Sequence, residues 1–162
     1  MMLAHSMGSI LAFELDKKIA GIDKILLLEG NLIESDFVWS TQMSTMTREC
    51  FEKYWDKFIK QYPLLLKMKV KKNNLDKYLS GVNNFNPYHI FLYSKLISKC
   101  SNLKFKNSYS KTIYFESDGA IDANIKKVFC CENNIKYNVI YESGHYMMID
   151  AYKQISDIIK EG

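Results

Sequence analysis

Short apolar runs alternate with helical patterns towards both ends of the chain. Residues 24–30 include a continuous apolar run of the kind found in strands that are buried on both faces of a parallel sheet. Residues 111–116 and 136–142 are rich in β-branched and aromatic side chains and predict two further strands. Helical character is found at residues 9–20, at about 120–133 and in a terminal segment that reaches about residue 160. This alternation predicts an α/β fold with a mostly parallel sheet flanked by helices.

The segment before the first helix carries a candidate nucleophile. Residues 4–8 have the sequence AHSMG, one substitution away from the G-x-S-x-G turn that lifts a serine between a strand and a helix. Ala4 and Gly8 are small, as so tight a turn requires. In that turn Ser6 exposes its hydroxyl and the amide of Met7 points at a substrate carbonyl oxygen. The alternative is that Ser6 is an ordinary helix N-cap.

Partners for a nucleophilic serine follow two later strands. Asp118 comes directly after the predicted strand at 111–116, and His145 follows the predicted strand at 136–142 within a Ser-Gly-His segment. The carboxyl ends of parallel strands collect at one edge of a sheet, where catalytic groups gather. Glu29, which ends the strand after the serine, competes with Asp118 for the role of the acid. Position along the chain favours Asp118.

Other titratable residues have simpler interpretations. Glu116 falls within a strand, and Asp122 is placed to begin a helix. His89 follows Asn86 and Pro87 at a predicted helix entry. A lone histidine in a loop more often satisfies backbone groups than performs chemistry, which is the alternative for His145.

Together, the AHSMG turn with its following strand and the Gly-His segment resemble the α/β-hydrolase superfamily, in which a histidine after the last strand commonly acts as the base. The resemblance implies that Ser6 is the nucleophile, His145 the general base and then acid, and Asp118 the group that fixes the imidazole tautomer. It implies packing for His5, an oxyanion role for the Met7 amide, and no metal or organic cofactor. It covers nearly the whole chain but only the C-terminal part of the family's domain.

A partial α/β-hydrolase core is therefore expected at residues 1–30 and 111–162. Only five residues precede Ser6, so the loop that supplies a second oxyanion donor in the superfamily is expected to be missing. Loss of one such donor costs about 100- to 1000-fold in turnover. The shortened first strand also predicts an exposed sheet edge that could pair with another copy. A truncated reading frame is favoured over a degenerate relic or one half of a split enzyme.

Residues 31–110 form an insertion that is predicted to be a helical cap. Its patterns indicate helices at 45–62, beyond Pro63 and at 87–100. A cap of this kind would cover the serine and line a pocket for a hydrophobic acyl substrate. The same methionine and aromatic pattern is also typical of plain core. The candidate lining residues are Trp39, Met43, Met46, Tyr54 and Trp55.

Composition narrows the classes of function. The 162 residues are 48% apolar and 14% aromatic, which is sufficient for a folded domain. The net charge of +4 includes a single arginine, Arg48, and the basic run at 67–72 is interpreted as a solvated helix face, so no nucleic-acid surface is indicated. Cysteines at 50, 100, 130 and 131 lack metal-ligand spacing and suggest reduced thiols in the cytoplasm. No apolar run approaches the ~20 residues of a membrane span.

The prediction is a serine hydrolase that acts on an ester, thioester or amide, with impaired activity in this chain. The alternative is a catalytically inactive hydrolase-like fragment that serves as a binding module or as half of a split enzyme.

Overall fold

A computed structural model describes residues 1–67, 74–82, 84–100, 106–120 and 122–161, and most of the basic run at 67–72 lies outside these ranges. The chain divides into two compact units. The first contains Met1–Ile33 and Leu103–Gly162, and the second contains Glu34–Asn102. The limits predicted from the sequence lie at residues 30 and 111.

The first unit is built around a four-stranded parallel sheet. Its strands are β1 (Met2–His5), β2 (Ile25–Leu28), β3 (Thr112–Ser117) and β4 (Lys136–Ile140), and they lie side by side in that order. The register aligns Met2 with Ile25 and Ile25 with Thr112. The predicted α/β fold with a parallel sheet is confirmed. Since all four strands run in one direction, the residues that follow them emerge at the same edge.

Helices flank the sheet and make up most of the second unit. A short 3₁₀ turn, Glu34–Phe37, opens that unit. The described helices, in chain order, are α1 (Gly8–Asp16), α2 (Val38–Ser44), α3 (Arg48–Lys67), α4 (Leu75–Val82), α5 (Pro87–Ser98), α6 (Lys106–Tyr109), α7 (Ala123–Glu132), α8 (Met147–Asp150) and α9 (Tyr152–Glu161). In the described ranges no helix combines the length and apolar character needed to cross a bilayer.

Both faces of the sheet are covered, as a parallel sheet requires. Every residue of β2 is at most 1% exposed. One face packs against the last two helices through a cluster of Leu26, Leu28, Phe115, Ile140, Met147, Ala151 and Ile155. The other face carries Tyr114 and Glu116, next to Lys126 of α7. Burial of both faces explains why β2 is an unbroken apolar run instead of an alternating one.

The first helix ends earlier than its pattern predicts. Apolar spacing continues to residue 20, yet α1 ends at Asp16. The Asp16 carboxylate accepts a hydrogen bond of 2.7 Å from the Ser108 hydroxyl and lies 2.5 Å from the Lys111 ammonium. These partners hold the end of the helix at the start of β3. The turn that follows includes Gly21, whose φ of 86° is the left-handed conformation that glycine adopts easily.

The expected helix boundary at Pro63 is wrong, because Pro63 lies inside the 20-residue helix α3. Proline removes one backbone donor, but a strongly amphipathic helix is stabilised mainly by the packing of its apolar face. In the second unit, that face contributes Phe51 and Trp55 to a core shared with Met43 and Phe91. Tertiary packing therefore allows α3 to continue past Pro63. The entry to α5 is as predicted: the Asn86 side chain caps the Tyr88 amide at 2.9 Å, with Pro87 in the first turn.

Gly30 provides a direct test of the packing between α1 and the sheet. A methyl group on Gly30 would lie 2.8 Å from Cβ of Ser9 and 3.2 Å from Cβ of Leu27, whereas one on Gly119 would meet no atom within 4 Å. We expect Gly30→Ala to lower the free energy of unfolding by about 1–3 kcal/mol through overpacking. Gly119→Ala is the matched control and should change it by less than about 0.5 kcal/mol. Urea unfolding followed by circular dichroism measures both, and equal effects would contradict this packing.

Candidate active site

Ser6 lies in a strained turn between β1 and α1. Its φ of 51° is in the left-handed region, which residues with a side chain rarely occupy. The surrounding backbone holds it there: the Ser6 amide donates to the Leu28 carbonyl at 3.0 Å, and the Ser6 carbonyl accepts from the Ser9 hydroxyl at 2.8 Å. A Cβ on Gly8 would lie 3.7 Å from that of Ala4, so alanine fits at the first position of the motif. The segment has the geometry of a nucleophile elbow.

Glu29 occupies the equivalent place after β2 and also has a positive φ, 44°. Its two carboxylate oxygens have different partners. Oε1 accepts hydrogen bonds from the amide of Ser117, at 3.0 Å, and from the Ser117 hydroxyl. Oε2 lies 2.5 Å from Nδ1 of His145. Burial by itself would raise the pKa of Glu29, but the hydrogen bonds from His145 and Ser117 outweigh it and lower the pKa to about 2. Glu29 is therefore ionised at neutral pH.

An ionised carboxylate accepts hydrogen bonds only, so the proton between Glu29 and His145 belongs to Nδ1 of the imidazole. In the neutral ring, Nε2 then carries the lone pair that a general base needs. Among the hydrogen bonds of the described residues, none joins this Nε2 to Ser6 Oγ. Such bonds are often long in an enzyme without substrate and tighten when substrate binds. The His145 side chain is one-third exposed to solvent.

The sequence favours Asp118 as the partner of His145, but in the structure the carboxylate beside His145 belongs to Glu29. Asp118 is exposed and accepts a hydrogen bond of 2.9 Å from the Glu142 amide. Glu142 has a φ of 54°, so Asp118 supports the strained first turn of the loop after β4. Glu116 is also remote from His145: it is fully buried, with one oxygen 3.9 Å from the Lys126 ammonium. The carboxylate at His145 is that of Glu29.

The path of the loop after β4 explains this difference. Asp118 directly follows β3, the strand next to β4, and therefore lies close to the start of the loop. The loop then runs back across the ends of β3 and β2, so that His145, five positions beyond the end of β4, reaches Glu29 and His5. Neighbouring strands are about 4.8 Å apart. The carboxylate that contacts the imidazole is thus that of Glu29, which follows β2 and lies next to the position that His145 reaches.

Several contacts hold this loop in place. The buried Ser143 hydroxyl donates to the Ile140 carbonyl at 2.8 Å, and the Gly144 amide donates to Asp150 at 3.1 Å. Met147, two residues after His145, is fully buried in the cluster beneath α8 and α9. The backbone on both sides of His145 is therefore anchored to the sheet and to the first turn of α8.

The Met7 amide, the expected oxyanion donor, makes no hydrogen bond to another described residue outside the regular elements. The predicted lining residues all belong to the second unit. Met43 and Trp55 are 3% and 7% exposed and form part of its hydrophobic core, a position that packing alone accounts for. Met46 and Tyr54 pack against that core, while Trp39 is partly exposed next to Phe58.

Sequence reasoning missed two contributors to the site. Ser117 was passed over although it directly precedes Asp118, and serine at a strand end is a ready donor to a neighbouring carboxylate. His5 was assigned to packing, yet its ring bonds the backbone of His145. A comparison of all the polar residues at strand ends would have found Ser117. Within the described ranges, no group of three His, Cys, Asp or Glu side chains is arranged to hold a metal ion.

The Glu29 and His145 pair predicts a specific acid dependence of stability. Because the folded pKa of Glu29 is about 2, below its ordinary 4.5, ionised Glu29 stabilises the fold above about pH 4.5. That contribution declines as the pH falls towards 2. Glu29→Gln keeps the shape but loses the charge, and we expect about 1–2 kcal/mol less stability at neutral pH.

The difference between the wild type and Glu29→Gln should therefore shrink as the pH falls from 4.5 to 2, as measured by urea unfolding at each pH. Ser117→Ala removes one of the bonds that lower the pKa and should show a weaker version of the same dependence. A difference that stays constant across this range would contradict the ionised contact.

Comparison with protein-family models gives no match to this sequence, and comparison with curated proteins finds no relative. The functional assignment therefore depends on the geometry of Ser6, Glu29 and His145.

Proposed function

We propose that this chain is a serine hydrolase of the α/β-hydrolase type, with Ser6 as nucleophile, His145 as base and Glu29 as the orienting acid. The observation that carries the proposal is the contact between Glu29 and His145. The ring of His145 also packs against that of His5, the residue directly before Ser6 in its left-handed turn. A nucleophile, a base and an orienting carboxylate are the three groups that acyl transfer through serine requires. Their order along the chain, serine, acid and then histidine, is the predicted one, and only the strand that the acid follows differs.

The reaction follows from the roles of these groups. His145 Nε2 takes the hydroxyl proton of Ser6 as Oγ bonds to the acyl carbon, and the Met7 amide donates to the resulting oxyanion. The imidazolium returns that proton to the leaving alcohol, thiol or amine as its bond to carbon breaks. Water then attacks the acyl-enzyme, giving one proton to His145, which passes it to Ser6 as the acid leaves. Glu29 stabilises the imidazolium at each stage and keeps its own charge.

The proposed substrate is a hydrophobic ester, thioester or amide. The preference for a hydrophobic substrate is an expectation from the aromatic and methionine pattern of residues 31–110. We propose a cytoplasmic location because the cysteines are free thiols, with Cys50 and Cys131 exposed. With one assigned oxyanion donor, turnover is expected to be slow, so a single covalent event is a better test than steady-state hydrolysis.

Labelling with a fluorophosphonate provides that test. The probe forms a bond from a nucleophilic serine oxygen to phosphorus with loss of fluoride, and peptide mass spectrometry identifies the serine. We expect the label on Ser6, and labelling at least about 1000-fold slower in His145→Gln, because a triad without its base loses most of its rate. His89→Gln changes an exposed histidine in the other unit and is the matched control. Label on another serine, or equal rates in the two histidine variants, would contradict the proposal.

The identity of the acid is tested by paired amide substitutions. Glu29→Gln should slow labelling of Ser6 by about 100- to 10,000-fold, since an amide no longer selects the productive tautomer of His145. Asp118→Asn retains an oxygen for the Glu142 amide and should leave the rate within about tenfold of wild type. The reverse ranking of the two variants would return Asp118 to the catalytic role.

Self-association through β1 is a second candidate function, favoured by the exposed side chains around that strand. The Met2 amide donates to the Lys24 carbonyl, and the Ser6 amide donates to the Leu28 carbonyl. Because backbone groups point to alternate sides along a strand, those of Leu3 and His5 point away from β2. Leu3 is 43% exposed, and Leu11 of the adjoining helix α1 is 66% exposed. An edge of this kind is a template for pairing with a second copy of the chain.

Light scattering after size-exclusion chromatography tests this second candidate. We expect the wild type to be a dimer and Leu3→Lys to be monomeric, because a charge at the edge opposes pairing. Ile125→Lys places the same charge at an exposed position on α7 and should leave the dimer intact. A monomeric wild type at the concentrations used for spectroscopy would rule out this function.

A further inference from the structure

His5 makes a contact that packing alone does not require. It ends β1, aligned with Leu28 of β2, and so faces the side of the sheet that α8 covers. Its Nε2 lies 2.7 Å from the carbonyl oxygen of His145. The two ring centroids are 4.7 Å apart, and the Tyr146 ring lies 5.5 Å from that of His5. The residue before the proposed nucleophile thus bonds the backbone of the proposed base.

We propose that His5 is a positioning residue, whose Nε2 hydrogen bond to the His145 carbonyl holds the general base over the nucleophile turn. Glu29 fixes only one atom of the imidazole, Nδ1, and leaves rotation about that contact possible. The bond from His5 fixes the backbone from which the imidazole extends, and its ring limits the space beside it. Neither contact involves Nε2 of His145, because Glu29 binds Nδ1 and His5 binds the backbone carbonyl.

The contact requires a defined tautomer of His5. A carbonyl oxygen only accepts, so Nε2 of His5 must carry the proton. His145 has the opposite requirement, with its proton on Nδ1 towards Glu29. The structure therefore assigns different tautomers to two histidines whose rings touch, and this assignment holds whether or not the chain has hydrolase activity.

His5 must also stay neutral beside a base that becomes positively charged during the reaction. Burial, and then repulsion from His145, lower the pKa of His5 to about 4, against weaker opposing effects from its hydrogen bond and from Glu29. At neutral pH His5 therefore donates one hydrogen bond without adding a second positive charge. The facing charged groups are His145, whose positive charge favours a neutral donor at this position, and Glu29, whose negative charge has the opposite and weaker effect.

Three substitutions separate the hydrogen bond from the ring contact. His5→Gln places an amide nitrogen near the position of Nε2 and keeps the donor without the ring. His5→Phe keeps a ring without a donor. His5→Asn carries the same amide on a shorter side chain that falls short of the His145 carbonyl. If the hydrogen bond positions the base, Gln should restore function, whereas Phe and Asn should not.

Nitrogen-15 NMR of the histidine rings tests the contact independently of activity. With three histidines in the chain, the variants His5→Gln and His89→Gln assign every signal. We expect wild-type His5 as the Nε2–H tautomer and His145 as the Nδ1–H tautomer at neutral pH. The His145 signals should be retained in His5→Gln and shift towards a tautomer mixture in His5→Phe. An Nδ1–H tautomer for His5, or His145 signals indifferent to all three substitutions, would overturn the inference.

Labelling of Ser6 by the fluorophosphonate adds the functional readout, which rests on the proposed hydrolase function. We expect His5→Phe and His5→Asn to slow labelling by about 100-fold, because a misplacement on the order of 1 Å costs that much, and His5→Gln to recover most of the rate. Equal slowing in all three variants would show a packing role and overturn the inference. If the wild type is not labelled, the proposed function fails, while the NMR result still decides the role of His5.

Discussion

The site depends on one buried carboxylate, that of Glu29, whose two oxygens bind different partners. Glu29 gives one oxygen to the end of β3, through the amide and hydroxyl of Ser117, and the other to the imidazole of His145. A buried carboxylate is costly unless its hydrogen-bonding capacity is used. The Ser117 contacts meet that cost within the sheet, and the remaining oxygen fixes the tautomer of the histidine.

The parallel arrangement of the strands makes this contact possible. Ser6, Glu29 and Asp118 follow successive neighbouring strands, and the His145 loop follows the fourth. A loop that starts at β4 must cross two strand ends to reach β2, and each stage of that crossing has a backbone anchor. Asp118 holds Glu142 at the base, Asp150 holds the Gly144 amide, and His5 contacts the tip. Asp118 thus contributes to this arrangement by supporting the loop that carries His145.

Three of the four positive φ angles at described residues other than glycine lie at the same edge of the sheet, while the fourth, at Asn134, comes before β4. Ser6, Glu29 and Glu142 each leave their strand in the left-handed region, with φ between 44° and 54°. Such conformations persist only where the surrounding contacts compensate for their cost, and they cluster at functional sites. Here they reorient the chain within two residues of the ends of three of the four strands. The turns lift polar side chains out of a sheet whose β2 is completely apolar.

Local sequence patterns were enough to predict the parallel α/β sheet, the turn that contains Ser6, the start of α5 and the position of His145 beyond the last strand. These features follow from local patterns: apolar runs, small residues that flank a serine, an Asn-Pro helix start and a Gly-His loop. Three features became visible only in the folded chain: Glu29 and not Asp118 contacts the imidazole, Ser117 and His5 bond to that pair, and α3 continues past Pro63. The reason is physical: sequence order gives the strand after which a side chain emerges, whereas the contact it makes depends on the path of a loop across neighbouring strands. In the same way, whether a helix continues past a proline depends on whether the packing of the helix's apolar face outweighs the cost of the proline, and a local sequence pattern does not reveal that packing.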